Sequence, residues 1–366
     1  MSSATTTTPL QNLRDWLARQ NLDAVYVTKP VSIAYLTGFY AEPFERLMAL
    51  AVRPDRATLI VPAIEQEKAS RYGDSAEVVS WRDGEDAYAL VRSALEGCVE
   101  VGVEKEHLTL HAADLLVART AAREMVDVSP EIRRLRRIKN HEELEKLAHA
   151  GSITDAVTER IMQKLRAGQS ELEVSVLIGS AIGEHGGTLS FESLVQSGPN
   201  SALPHMHPTG RKLEAGDFVL LDFGAAYDGY RADTTRMAVV GEPTARHKEI
   251  HSLVLAAHDA AVAAVRSGTT TGTVDAAARQ VIDAAGMGDR FFHRTGHGLG
   301  LEAHEDPSLD PGSVTVLEEG MVFTIEPGIY IPGWGGVRIE DDVVVERAGA
   351  RRLTNADHSL RVIPSS

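Results

Sequence analysis

The chain has 366 residues, 43% hydrophobic and 24% charged, enough apolar sequence for two packed domains. Lys+Arg 37 against Asp+Glu 52 leaves a net charge of −15, which argues against nucleic-acid and membrane-surface partners. The single cysteine, Cys98, excludes an intrachain disulfide and fits a reducing compartment, so a cytoplasmic location is expected.

Residues 1–9 are Ser/Thr-rich, lack the basic and apolar regions of a signal peptide, and read as a disordered tail. From residue 10 to about 135, LDAVYV, LMALAV, ATLIVP, AEVVSW and VEVGVE read as strands. LQNLRDWLARQ, IEQEKASRYG, DAYALVRSALEG and AADLLVARTAAREM read as helices, and the alternation predicts a small α/β domain. EIRRLRRIKN, starting at Glu131, reads as a solvated basic linker that makes salt bridges to the acidic body. It leads into a second domain spanning residues 136–366, where a plan appears twice. A long helix ends at RAG (Arg166–Gly168) or RSG (Arg266–Gly268), a second helix follows, and strands begin near Leu189 or His293. Ser252–Val265 reads as a buried amphipathic helix, since His258 and Asp259 interrupt it.

Each copy ends in a hairpin carrying acids. In GDFVLLDFGAAYDGYRADTTRMAVV, the Asp228-Gly229 turn sets a register in which Asp222 faces position 235 and lies diagonally from Asp233. In GMVFTIEPGIYIPGWGGVRIEDDVVVER, a turn centred on Gly333 sets Glu326 across from Glu340. Acids are unfavourable on half-buried strands, and two cross-strand pairs would repel unless something positive lay between them. His297 stands between the hairpins, flanked by glycines that permit close backbone approach. Four carboxylates and one imidazole form a hard, oxygen-rich set suited to two divalent cations such as manganese, cobalt, iron or zinc. Asp228 reads as a turn residue, and Asp341 and Asp342 read as strand-end or supporting acids.

SGPNSALPH, LLDFGAAYDGYRADTTR, HRTGHGLGLEAHE, GMVFTIEPGIY and GGVRIEDDVVV together resemble the pita-bread metallopeptidases, the M24B group of Xaa-Pro peptidases. The resemblance implies a creatinase/prolidase-like N-terminal α/β domain and a pseudo-symmetric α+β catalytic domain. It fills all five metal-ligand positions, with Asp222, Asp233, His297, Glu326 and Glu340. It implies two divalent ions per subunit, manganese first, with a bridging water or hydroxide that attacks the bond before proline. Glu326 would be the base, and His205 and His304 would handle the substrate. Arg338 would orient an acid or the substrate, while His207, His293 and His358 carry no implied role. A homodimer is expected from the family. The favoured activity is an Xaa-Pro dipeptidase acting on proline-containing dipeptides. The alternatives are aminopeptidase P on longer peptides, a non-catalytic binding protein of the same fold and a metal-free creatinase-like amidinohydrolase. Several prolidases carry an arginine directly after HExP for the proline carboxylate, but Ser308 stands there in this chain, and Arg46 is a candidate substitute.

Overall fold

The structure is a computed structural model that describes residues 8–365. It divides into two units, one ending at Arg136 and the other beginning at Arg137.

In the first unit, helix α1 (Pro9–Gln20) is capped by the Thr8 hydroxyl and opened by Pro9, so the last two positions of the expected tail are structured. Residues 1–7 of that tail lie outside the described residues. The chain continues through β1 (Ala24–Val27), α2 (Pro30–Thr37), β2 (Ala49–Val52), β3 (Ala57–Pro62), α3 (Gln66–Ser70) and β4 (Glu77–Trp81). It closes with α4 (Ala87–Ala94), β5 (Glu100–Val103), α5 (Leu110–Arg119), β6 (Glu124–Asp127) and α6 (Ser129–Arg137). The six strands form one mixed sheet, ordered β4-β3-β2-β1-β5-β6. Period-two alternation sends Val25 and Val27 into a core with Leu10, Leu13 and Leu17. Ala24 and Tyr26 go to the opposite core, with Val91, Leu95 and Leu116.

Two expectations change here. The basic segment is a helix rather than a solvated linker: α6 buries Ile132 and Arg136 and pairs Arg134 with Glu131. AADLLVARTAAREM is not one helix, because Thr120 turns extended after α5 and Glu124–Asp127 forms the edge strand β6.

The second unit contains α7 (His141–Lys164), α8 (Glu171–Glu184), β7 (Thr188–Leu189), β8 (Leu194–Ser197), β9 (Phe218–Phe223), β10 (Ala225–Tyr227), β11 (Tyr230–Arg231) and β12 (Thr234–Val240). It then runs through α9 (Ala245–Ala264), α10 (Thr271–Ala284), β13 (His297–Gly298), β14 (Glu305–Ser308), β15 (Val322–Ile325), β16 (Gly328–Ile331), β17 (Gly335–Arg338), β18 (Asp341–Glu346), β19 (Gly349–Arg352) and β20 (Arg361–Ile363). The duplication suggested by the sequence is visible in the hydrogen bonding. Gly168 N donates to Leu213 O at 2.9 Å, and Gly268 N donates to Leu317 O at 2.9 Å. Both glycines have positive φ, 83° and 89°, where a side chain would be strained. The two main sheets run β20-β12-β9-β8 and β14-β13-β15-β18-β19, so each copy builds the body of one sheet and the C-terminal β20 adds an edge to the first. α7 and α8 pack on one sheet through Ile153, Val157 and Ile178 against Val219, Leu221 and Phe223. α9 and α10 pack on the other through Val254, Ala257 and Val274, with Phe323 and Ile325 in the same core. Leu220 and Met237 of the first sheet also enter that core.

Candidate metal centre

The first hairpin has the register that its turn dictates. Asp228 and Gly229 have φ of 48° and 83°, β10 and β11 pair Tyr227 with Tyr230, and β9 and β12 pair Asp222 with Thr235. Asp233 lies between β11 and β12, where the chain passes very close to Gly224: a Cβ at 224 would stand 1.7 Å from the Ala232 carbonyl oxygen. The Asp233 amide donates to Asp342 Oδ2 at 2.9 Å, which fixes its backbone.

The second hairpin splits into two ladders that share one register. Ile325 pairs with Asp341 on the outer ladder and Gly328 with Arg338 on the inner one, leaving Glu326 and Glu340 opposed between them. A bridge between Thr235 and Glu340 joins the hairpins. The ligand atoms of Asp233, His297 and Glu340 all lie within 4.8 Å of one another. His297 Nε2 is 3.2 Å from Glu326 Oε1 and 3.9 Å from Asp233 Oδ2. Arg338 donates through Nη2 to Asp222, through Nε to Thr235 Oγ1 at 2.9 Å and through Nη1 to the Tyr330 hydroxyl at 3.0 Å.

The electrostatics of this cluster call for a cation. Burial pushes the Asp233 carboxyl well above its usual range, and Glu340, Asp222, Asp342 and Glu326 push it further. Burial also raises Glu340 well above its usual range, with Glu326 and Asp222 adding to it. Burial carries Glu326 to about 7, against the opposing pull of Arg338. Among the described residues, Asp222 Oδ1 and Asp233 Oδ1 are buried with no hydrogen-bond donor. His297 Nδ1 faces the Gly298 carbonyl at 3.2 Å. A carbonyl only accepts, so Nδ1 carries the proton and Nε2 presents a lone pair to the carboxylates. Burial, followed by the nearby His304, holds this imidazole well below its usual pKa and therefore neutral. Acceptors facing acceptors inside a protein are costly unless a metal lies between them, and a carboxylate-rich set with one nitrogen fits two divalent ions.

The two residues expected to handle substrate differ in their surroundings. The His304 ring lies 3.9 Å from the His297 ring at centroid distance. His205 is exposed and lies within electrostatic reach of Asp222, His293 and His304. Arg46 finds other partners: Asp83 takes its Nε and Nη2 at 3.0 and 2.9 Å, and Glu45 takes Nη1 at 2.9 Å. His207 pairs with Glu192 on the surface.

Asp342, read as a strand-end or supporting acid, accepts from the Asp233 amide. Two other supporting residues were not legible as such: Thr235 donates to Glu340, and the Tyr330 hydroxyl accepts from Arg338 and lies 3.0 Å from His293 Nε2. Arg236, fully buried, donates through Nη1 to the Glu340 carbonyl and through Nη2 to Asp341 Oδ1 at 2.6 Å. A second cluster, His258, Asp341 and His358, has metal-like spacing, but Arg236 and Arg352 already neutralise Asp341. It is an ion-pair network. The alternating donor pattern of ADTTR and VRIEDD was the signal available for Thr235 and Arg236, but their partners lie about a hundred residues away.

Residues 145–347 match the model of Metallopeptidase family M24, and residues 9–138 match the Creatinase/Prolidase N-terminal domain. The chain is 38% identical over 363 residues to an Xaa-Pro dipeptidase of Lactobacillus helveticus, covering 97% of this chain and 99% of that one. It superposes on an Xaa-Pro dipeptidase from Bacillus anthracis with a TM-score of 0.92 at 36% identity, covering 97% of this chain and 99% of that one. An X-Pro aminopeptidase from Thermotoga maritima superposes with a TM-score of 0.87 at 31% identity, covering 95% and 100%. Two carboxylate hairpins on a duplicated scaffold, together with matches over both units, place this chain in metallopeptidase family M24, with a creatinase/prolidase N-terminal domain.

Proposed function

We propose that the chain is an Xaa-Pro dipeptidase whose centre holds two divalent metal ions through Asp222, Asp233, His297, Glu326 and Glu340. The observation that carries this reading is the buried convergence of Asp233, His297 and Glu340 within 4.8 Å, with Glu326 3.2 Å from His297 and with one oxygen each of Asp222 and Asp233 left without a donor. Relatives named Xaa-Pro dipeptidase that match nearly the whole chain support the substrate class.

When bound, the ions supply Lewis-acid polarisation of the scissile carbonyl and acidify a water enough for attack near neutral pH. The protein supplies the rest. Glu326, with its carboxyl near 7, takes a proton from the attacking water and returns it to the departing proline nitrogen. Burial and the Arg294 charge keep His304 below the usual histidine pKa, so its neutral ring can hydrogen-bond the scissile carbonyl or nitrogen. His205 supports the tetrahedral intermediate from the opening. Arg338 binds Asp222 and opposes the rise in its pKa that burial causes. Manganese as the ion, a homodimer as the assembly and the cytoplasm as the compartment belong to the same reading. Among the described residues, no helix is long and apolar enough to cross a membrane.

The test is proline release from Ala-Pro by metal-stripped protein, with and without added manganese, beside the Asp233→Ala variant. Manganese-dependent release that the variant lacks supports the dipeptidase. Rapid cleavage of Ala-Pro-Ala with Ala-Pro untouched would make the chain an aminopeptidase instead. No release from either peptide would remove the peptidase reading.

A further inference from the structure

A dipeptide ending in proline carries its free carboxylate two bonds from the scissile nitrogen, so a dipeptidase needs a cation beside the attacked bond. Ser308, the last residue of β14, offers only a hydroxyl. The structure places a guanidinium against that hydroxyl. Arg294 Nη1 donates to Ser308 Oγ at 3.0 Å, and Arg294 Nη2 lies 3.4 Å from His304 Nδ1. His304 in turn stacks on His297 at the metal centre.

Four other cations around this centre are committed to acids, and Arg231 spends its Nε on the Leu301 carbonyl at 3.0 Å. Arg338 is held by Asp222, Lys139 lies 3.5 Å from Glu305, Arg279 holds Asp275 at 2.8 Å and Arg211 holds Asp217. Arg294 is half-buried and, among the described residues, makes no ion pair; both of its side-chain contacts are neutral groups. A fork of N–H donors left without a carboxylate, beside a site that takes a carboxylate-bearing substrate, is a ready-made anion clamp.

The clamp also rests on a fixed backbone. Arg279 donates to the Phe291 and His293 carbonyls at 2.9 and 2.6 Å. Thr295 N bonds Leu309 O at 3.1 Å and Leu309 N bonds Gly296 O at 2.9 Å, which holds the segment that carries Arg294 against the end of β14.

We propose that Arg294, with Ser308 as its rest position, binds the C-terminal carboxylate of the dipeptide and is the residue that selects dipeptides over longer chains. This rests on the dipeptidase reading and gives that reading its specificity. On binding, the guanidinium exchanges the Ser308 hydroxyl for the carboxylate, and no covalent change is involved.

The experiment measures kcat and KM of the manganese-loaded full chain on Ala-Pro, Ala-Pro-amide and Asp-Pro, for wild type, Arg294→Ala and Arg294→Lys. Losing a charge-assisted hydrogen bond to a carboxylate should raise the Ala-Pro KM about tenfold to a hundredfold in Arg294→Ala. The amide KM should rise far less than the Ala-Pro KM, because the amide has no charge to lose, whereas any change in kcat that arises through His304 should be shared by both substrates. Arg294→Lys should recover part of the Ala-Pro KM and guards against a folding defect. A KM that rises equally on Ala-Pro and its amide, or on neither, overturns the proposal. A loss confined to Asp-Pro also overturns it, since the cation would then meet the residue before proline. Wild type inactive on every substrate is a different failure: it removes the dipeptidase reading, and the clamp with it.

Discussion

The Thr235 hydroxyl donates to Glu340 Oε2 at 2.6 Å, deep inside the unit. Thr235 Oγ1 itself accepts from Arg338 Nε at 2.9 Å, so one small side chain sets the position of an acid and of the arginine that binds Asp222. Thr235→Val keeps the shape and removes both bonds. Outer hydrogen bonds of this kind typically account for about ten- to a hundredfold in metal affinity. The variant should therefore bind manganese more weakly by about that factor in isothermal titration calorimetry, while its circular dichroism spectrum stays native. Unchanged affinity would mean that Glu340 is held in place by the strands alone.

Gly296 tests the backbone that carries His297. A Cβ there would stand 1.9 Å from the Thr324 carbonyl oxygen, a distance that no rotamer change relieves. The strand must move, and His297 N would leave Thr324 Oγ1, now at 3.0 Å. Gly296→Ala should lose about 2 kcal/mol or more in urea unfolding and most of its activity. A variant of native stability and activity would show that the ladder tolerates displacement.

How much of this was legible depended on the distance over which each feature is decided. Local turns set the hairpin registers, so Asp222 opposite Thr235 and Glu326 opposite Glu340 followed from Asp228-Gly229 and Gly333. The doubled RAG and RSG segments also marked the duplication. Other features had no local signal. α2 buries Ser32 and Thr37 beside Ile33 and Leu36, so its inward face shows no apolar stripe, and β6, EMVD, is a polar edge strand. The charges of α6 hid its helical character, although Ile132 and Arg136 are buried. The contact of Arg294 with Ser308 joins the segment before β13 to the end of β14, and Arg236 reaches Glu340 across about a hundred residues. Only the assembled sheets bring such pairs together.

Metal removal should reveal the repulsion within the centre. Asp233 is buried among Glu340, Asp222 and Glu326, each of which disfavours its charge. Stripping the ions should lower the melting temperature of wild type, because ligand that binds only the folded state stabilises it. Asp233→Asn removes one of the repelling charges at nearly constant volume. The metal-free variant should melt about 2–5 °C above metal-free wild type, and manganese should no longer raise its melting temperature. Differential scanning calorimetry in chelator and in manganese gives both numbers. A metal-free variant that melts below metal-free wild type would show that Asp233 is bound by donors rather than repelled by acids.

His258 gives the molecule a dependence on pH in a place remote from its chemistry. Its Nδ1 lies 3.3 Å from Asp259 Oδ1, its Nε2 lies 3.2 Å from Asp341 Oδ2, and the His358 ring is 5.1 Å away. Burial lowers its pKa, but the hydrogen bonds and charges of Asp259 and Asp341 outweigh burial and raise it. Asp341 is held well below the carboxylate range: burial works against this, but His258, His358 and Arg236 prevail. It therefore stays ionised above about pH 4. A group whose folded pKa is raised adds stability that is complete below its unfolded value, about 6.5, and is lost as pH rises through the folded value. Urea unfolding of wild type and His258→Gln, both metal-free, should differ most near pH 5.5. The gap should shrink as pH climbs from about 6.5 toward 8.5, because only wild type loses the charged pair. A gap that stays constant across that range would mean that His258 contributes packing alone and that Asp341 draws its counter-charge from Arg236.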